Sequence, residues 1–289
     1  MKTICKAGLL ITIFLIATVP LALAQGTYTQ FDVPAAVFTV VVGIDSAGDL
    51  VGYYQDASGN LNGFLFSGGA YTTIDPPGST TTQLSGINDM GQIVGETRSP
   101  NSGFLYTLQN QTFTTLVYPK ADYVFPHAIS NSGTIAGQVG YGAGEIHGFE
   151  LVGSTYRQIS PPRSSLSLVT GITSSGTLFG QAAGKIKNLT FAFARGKYSE
   201  RIMPNAPNAL VFGVNPAGTA LVGTYNPSSG VTAGFIYQNK TLTTLQFPGS
   251  SFTEAYGINA AGEVVGAFGD AQGNGHGFTW TPPADVEER

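Results

Sequence analysis

Thiol chemistry is nearly ruled out at the start, because the 289 residues hold a single cysteine, Cys5. It sits in an N-terminal segment that reads as a removable leader. The processed chain then has no cysteine, which excludes disulfides, thiol nucleophiles and thiolate metal sites. Charge is also scarce: Asp, Glu, Lys and Arg make up 10% of the residues, with 13 basic against 17 acidic. An acidic chain without a basic cluster is a poor partner for nucleic acid. There are three histidines and one tryptophan, Trp280. No apolar stripe recurs at 3.6-residue spacing. With 39 Gly and 16 Pro spread along the chain, tandem helix pairs are excluded.

One apolar run is present, from about Ala7 to Leu23. Lys2 and Lys6 precede it, and Ala22-Leu23-Ala24 closes it with a small-x-small pattern. That is the layout of a secretory signal peptide cleaved after Ala24. The run is short for a membrane span, and no second candidate follows, so no span is expected after processing. The expected layout is a leader at 1–24, one domain at 25–282 and a charged tail at 283–289. The product would be secreted or periplasmic, and monomeric.

What the chain has in abundance is repetition. A turn of four residues, opened by Asp, Asn, Ser or Thr and closed by Gly, occurs six times: Asp45–Gly48, Asn88–Gly91, Ser130–Gly133, Thr173–Gly176, Asn215–Gly218 and Asn259–Gly262. A short polar side chain at the first position bonds the backbone two residues on, and Gly at the fourth enters the left-handed region. These are hairpin turns, so strands flank them. An apolar pair ending in Gly follows each turn: Gly52, Gly95, Gly137, Gly180, Gly223 and Gly266. Copy five has one extra residue before Gly223, expected to form a local bulge. A third strand carries Phe64, Phe104, Phe149, Phe191, Phe235 or Phe278. A fourth, such as Tyr71-Thr-Thr-Ile74, ends near a proline, which cannot extend a ladder. Four-stranded units of some 43 residues predict an all-β fold, a six-bladed propeller.

The last copy lacks its fourth strand. Residues 28–34, Tyr-Thr-Gln-Phe-Asp-Val-Pro, match Tyr71-Thr-Thr-Ile-Asp-Pro-Pro77 nearly position for position. Residues 28–33 are therefore expected to complete the last blade as its outermost strand and to remove the open edges of the ring.

Gly86-Ile-Asn-Asp-Met-Gly-Gln-Ile-Val-Gly95, Gly257-Ile-Asn-Ala-Ala-Gly-Glu-Val-Val-Gly266 and the His-Gly-Phe elements at 147–149 and 276–278 resemble the HAF repeats of extracellular bacterial proteins. The resemblance covers nearly all of the processed chain. It implies secretion and a propeller-like fold, and it implies no reaction.

Candidate sites follow from what the copies share and do not share. His147 and His276 occupy one repeat position, which fits a structural role such as bonding a neighbouring loop. His127 has no counterpart in the other copies, where Val42, Ser85, Thr170, Phe212 and Tyr256 stand. Asp56-Ala-Ser-Gly-Asn60 and Asp270-Ala-Gln-Gly-Asn274 have the alternating oxygens of a calcium loop but lack its glutamate; a plain turn is the expectation. No Gly-x-Ser-x-Gly elbow is present. No metal or cofactor is expected.

The strand 2–3 and blade-to-blade connections emerge on one face and differ most between copies. Ligand binding is therefore expected at Tyr53, Tyr54, Glu96, Arg98, Tyr123, Gln138, Gln181, Tyr225, Phe252 and Glu254, from loops held by a rigid frame. Aromatics beside carboxylates and amides suit an extracellular glycan or protein surface. The favoured function is a non-catalytic binding or surface-interaction module. The alternatives are a polysaccharide hydrolase or lyase using Glu96 and Glu254, and a structural envelope protein.

Overall fold

The computed structural model describes residues 26–283 other than 99, 185–187, 202, 204, 205, 207, 228 and 229. The expected leader, 1–24, and the expected tail beyond Pro283 lie outside the described residues. Each repeat forms one sheet of four antiparallel strands, and six sheets make a β-propeller. Blades 1 to 5 cover residues 38–73, 82–116, 123–159, 164–201 and 210–245. Blade 6 takes three strands from 252–281 and its outer strand from the other end of the chain. Thr27–Phe31 pairs antiparallel with Gly275–Thr281, placing Tyr28 opposite Trp280. The pairing begins one residue before the expected span and ends at Phe31. Val33 turns into the core instead, its N–H donating to Thr39 Oγ1 at 3.0 Å.

That strand seals the ring on both sides. The Gln246 N–H donates to the Tyr28 hydroxyl at 3.0 Å, and the Tyr28 ring meets Phe247 edge-on at 5.5 Å. Phe31 packs on Phe64, Phe66 and Tyr71 of blade 1.

The turns follow their sequence chemistry. Asp45 Oδ1 accepts from the N–H groups of Ala47 and Asp49, both at 2.9 Å. Asn88 and Asn259 do the same two and four residues on. The six closing glycines have φ between 67° and 84°, where a side chain would be strained. Asn adds something Asp cannot: its Nδ2 donates to the next blade, from Asn88 to Ser130 O at 2.8 Å and from Asn259 to Asp45 O at 3.2 Å. The extra residue of copy five is not a strand bulge. It lengthens the turn, so that the Asn215 N–H bonds Ala220 O while the ladder resumes at Val214 and Leu221. A loop absorbs an inserted residue without breaking pairing.

Bulges do occur, in the first strand of every blade and at one repeat position. The register slips between Val41 and Gly43, Leu84 and Gly86, Pro126 and Ala128, Val169 and Gly171, Val211 and Gly213, and Ala255 and Gly257. Next to the slip, the first-strand backbone crowds the second. A Cβ on Gly52 would lie 2.0 Å from Val40 O, and one on Gly266 1.9 Å from Glu254 O. This is why each second strand carries glycine there. The third-strand phenylalanine pairs with that glycine, as Phe64 with Gly52 and Phe278 with Gly266, and covers the space. These phenylalanines are at most 3% exposed. Burying each contributes about 1.5–3 kcal/mol. The core lies between blades: Val51, Leu65 and Ile74 of blade 1, for instance, pack on Leu84, Ile93 and Phe104 of blade 2.

Candidate functional site

The first strands surround the ring axis, and the channel between them has two chemically different ends. At the end carrying the strand 2–3 loops, unshared residues from blades 6, 1, 2 and 3 come together. Glu96, the residue after the repeated Gly95, is 6% exposed and pairs with Arg98 at 2.7 Å. Burial pushes the Glu96 carboxyl above its ordinary range, and the charge and hydrogen bond of Arg98 oppose this. The guanidinium then lies 5.1 Å from the centre of the Phe125 ring, which stacks on Tyr123 at 4.4 Å. On blade 6 the Tyr256 hydroxyl donates to Glu254 Oε2 at 2.5 Å. Burial and that hydrogen bond both hold the Tyr256 phenol protonated well above the usual range.

Tyr53 of blade 1 sits between these groups. Its phenol is raised first by burial, then by the charges of Glu254 and Glu96, with Arg98 pulling the other way. Phe38 meets its ring edge-on at 6.4 Å. Five residues expected from the sequence, Tyr53, Glu96, Arg98, Tyr123 and Glu254, thus share one electrostatic neighbourhood, joined by Phe125 and Tyr256.

The other five lie elsewhere or serve the frame. The Gln181 side chain donates to Val211 O of the next blade at 2.9 Å. Tyr225 is buried and its hydroxyl lies 2.6 Å from Thr244 Oγ1 within its own blade. The Tyr54 hydroxyl lies 3.4 Å from Thr73 Oγ1 in blade 1. Gln138 stands opposite Phe125 in the blade 3 ladder. Phe252 is exposed at the start of blade 6.

The histidines of His-Gly-Phe fasten outer strands. His147 Nδ1 lies 3.1 Å from Ser160 Oγ, just past the outer strand of blade 3. His276 Nδ1 lies 3.0 Å from Asp32 Oδ2, just past the outer strand of blade 6. The two calcium-like loops use their own oxygens. Asp56 Oδ1 accepts from the Ser58 and Asn60 N–H groups, and Asp270 Oδ1 from those of Gln272 and Asn274. Among the described residues no group of three or more His, Cys, Asp or Glu is placed to hold a metal ion.

The turn end of the channel holds a cavity of 370 Å³. Its wall includes the bulged residue of each first strand: Val42, Ser85, His127, Thr170, Phe212 and Tyr256. The sequence marked this position only as one where the copies differ around His127. Its place on the axis depends on the bulge, which belongs to pairing register and leaves no residue signature of its own. His127 Nδ1 lies 3.0 Å from Val169 O, so that nitrogen carries the proton. Enclosure by protein lowers its pKa to about 4, leaving a neutral ring at pH 7.

No family model matches the sequence, and no curated protein matches it. Solved structures do share the fold. TolB from Acinetobacter baumannii superposes with a TM-score of 0.53 at 11% identity, over 84% of this chain and 63% of that one. A gluconolactonase from Xanthomonas campestris gives 0.56 at 13% identity, over 90% and 98%. The Cps50 (Swd1) β-propeller domain of Myceliophteria thermophila gives 0.50 at 9%, over 89% and 100%. The chain spans under two thirds of the TolB chain. At these identities the likeness carries the fold alone. Among the described residues no helix is long and apolar enough to cross a membrane.

Proposed function

We propose that this propeller is a secreted or periplasmic binding module of the HAF-repeat kind, which holds a glycan or peptide chain at the loop end of its channel. The Lys2–Ala24 leader pattern and the Gly-Ile-Asn and His-Gly-Phe repeats support the export and family parts of this reading. The convergence of Tyr53, Glu96, Arg98, Tyr123 and Glu254 from four blades carries the binding part. Aromatic faces beside carboxylates offer stacking and hydrogen bonds to a polar chain. Both acids are already engaged, Glu96 by Arg98 and Glu254 by the Tyr256 hydroxyl, which favours holding a ligand over transferring protons to one.

Glycan and peptide arrays test this. Binding to one ligand class is expected, weakened at least tenfold in Tyr53→Ala and Glu254→Gln. Wild-type binding in both variants, or no binding at all, would overturn it. Release of sugar that is lost in Glu96→Gln or Glu254→Gln would establish the hydrolase or lyase reading instead.

A further inference from the structure

One of the six turn openers breaks the pattern of the others. Asp45, Asn88 and Asn259 each use Oδ1 to accept from the N–H groups two and four residues on. That leaves the second side-chain atom for the next blade. In Asn88 and Asn259 it is Nδ2, which donates to the carbonyl of the next opener: Ser130 O at 2.8 Å and Asp45 O at 3.2 Å. In Asp45 the second atom is Oδ2, an acceptor, and the carbonyl of its next opener, Asn88 O, is an acceptor too. Asn88 O takes the Gly91 N–H within its own turn and, among the described residues, receives no donor from blade 1. Blade 1 therefore lacks the donor that the two asparagine copies supply.

Asp45 is 9% exposed, and its Oδ2 has no hydrogen-bond partner among the described residues. Thr170 Oγ1 is the one unpartnered side-chain atom among them that is sealed from solvent, so Asp45 Oδ2 is open to it. Burial pushes the Asp45 carboxyl up, its turn bonds oppose this, and the charges of Asp49 and Asp89 add to the rise. A carboxylate so placed is costly without a partner of opposite charge. Asp45 and Asp89 both line the 370 Å³ cavity, and no Lys or Arg does. The wall also takes one aliphatic residue from each blade: Ile44, Ile87, Ile129, Ile172, Val214 and Ile258. Ser46, Asp89 and Asn131 on the rim are exposed, which gives a way in from solvent. The volume lies in the range of small-molecule sites, roughly 300–1,000 Å³. A negative rim on an aliphatic wall matches a cation with an apolar body.

We propose that the turn end of the channel binds a small primary amine in its ammonium form. The ammonium takes the place of the missing amide and donates to Asp45 Oδ2 and Asn88 O. The apolar body lies along the aliphatic wall. Tyr256 lines this cavity while its hydroxyl donates to Glu254 of the loop-end group, so the two sites meet at that ring. The rim carboxylates that choose the cation, Asp45 and Asp89, belong to the turn end.

Hexylamine, hexanol, hexanoate and potassium ion are the probes, added at pH 7 to the purified full chain and followed by thermal shift and, for the organic probes, saturation-transfer NMR. Hexylamine, protonated at this pH as a lysine side chain is, should bind and raise the melting temperature. Hexanol should bind about tenfold more weakly, since it brings no charge to Asp45, and hexanoate should not bind. Asp45→Asn is the decisive variant, because it gives blade 1 the amide that Asn88 and Asn259 already use. It should melt at or above the wild-type temperature and bind hexylamine about tenfold more weakly or worse. The proposal falls if hexylamine does not bind, if hexanol or hexanoate binds as tightly, or if potassium ion raises the melting temperature as much. It falls also if Asp45→Asn binds hexylamine as wild type does or melts well below it. Loss of hexylamine binding in Glu254→Gln but not in Asp45→Asn would put the cation at the loop end and overturn it as well.

Discussion

The two ends of the channel are built from different kinds of residue. At the turn end, repeated residues do most of the work: the opening Asp or Asn, the closing Gly, and the cross-blade bonds of Asn88 and Asn259. At the loop end the neighbours differ in every blade, and Tyr53, the Glu96–Arg98 pair, Tyr123 and Glu254 share one electrostatic neighbourhood because the frame brings four blades round the axis. The difference teaches where to look for chemistry in a repeat protein. A residue found in every copy answers a backbone demand that every copy shares. A residue found once is free to meet a ligand.

The comparison can be broken most severely by opening the ring, since both ends depend on closure. Deleting residues 26–36 removes Tyr28, Phe31 and Val33 from the packing, which should cost roughly 5 kcal/mol or more. Urea denaturation should show the whole ring weakened, not blade 6 alone. A midpoint equal to the full chain would refute closure as a source of stability. Next comes Gly266→Ala, whose Cβ would lie 1.9 Å from Glu254 O. A loss of about 3 kcal/mol is expected. Glu254→Gln, on the strand paired directly with that of Gly266, should stay within about 1 kcal/mol of wild type. Equal losses in the two variants would erase the contrast between frame and site.

A smaller effect sharpens the account of the turns. Asn259→Ala loses its own turn bonds and the donation to Asp45 O, and should cost about 1–2 kcal/mol. Ser130→Ala should cost less, because the Ser130 hydroxyl bonds only within its own turn. The smallest effect is electrostatic. Hydrogen bonds, led by that from the Asn274 side chain, hold the Asp270 carboxyl down to about 2. A depressed carboxyl contributes stability above the unfolded value, about 4, and loses it as pH falls toward 2. Asp270→Asn keeps an acceptor in the turn and should flatten that part of the melting-temperature profile.

Blade number, turn chemistry and the closing strand were legible because each depends on residue type at a fixed spacing. Phe278 without a following fourth strand, and Tyr28-Thr-Gln-Phe31 without a preceding third, could be matched by eye. The loop-end group was legible in part. Gln181 and Tyr225 differ between copies as Glu96 does, yet they bond backbone and blade, and only coordinates separate the two uses. The turn-end cavity was not legible at all. A bulge shifts register by one residue and sends Val42, His127 and Phe212 to the axis, and register is a property of two paired strands.

The pairing of Thr27 with Thr281 also sets a timetable. Among the described strands, the one made first is matched by the one made last. At roughly 5–20 residues per second of synthesis, the first strand waits on the order of 10–50 s for its partner. Through that interval blade 1 has Phe64, Phe66 and Tyr71 without the Phe31 contact in its final place. A chain that stalls or is cut before Gly275 therefore cannot close, and its free edges mark it for aggregation or degradation. Splitting one blade between Thr27–Phe31 and Gly275–Thr281 makes synthesis through Thr281 a condition of the finished ring.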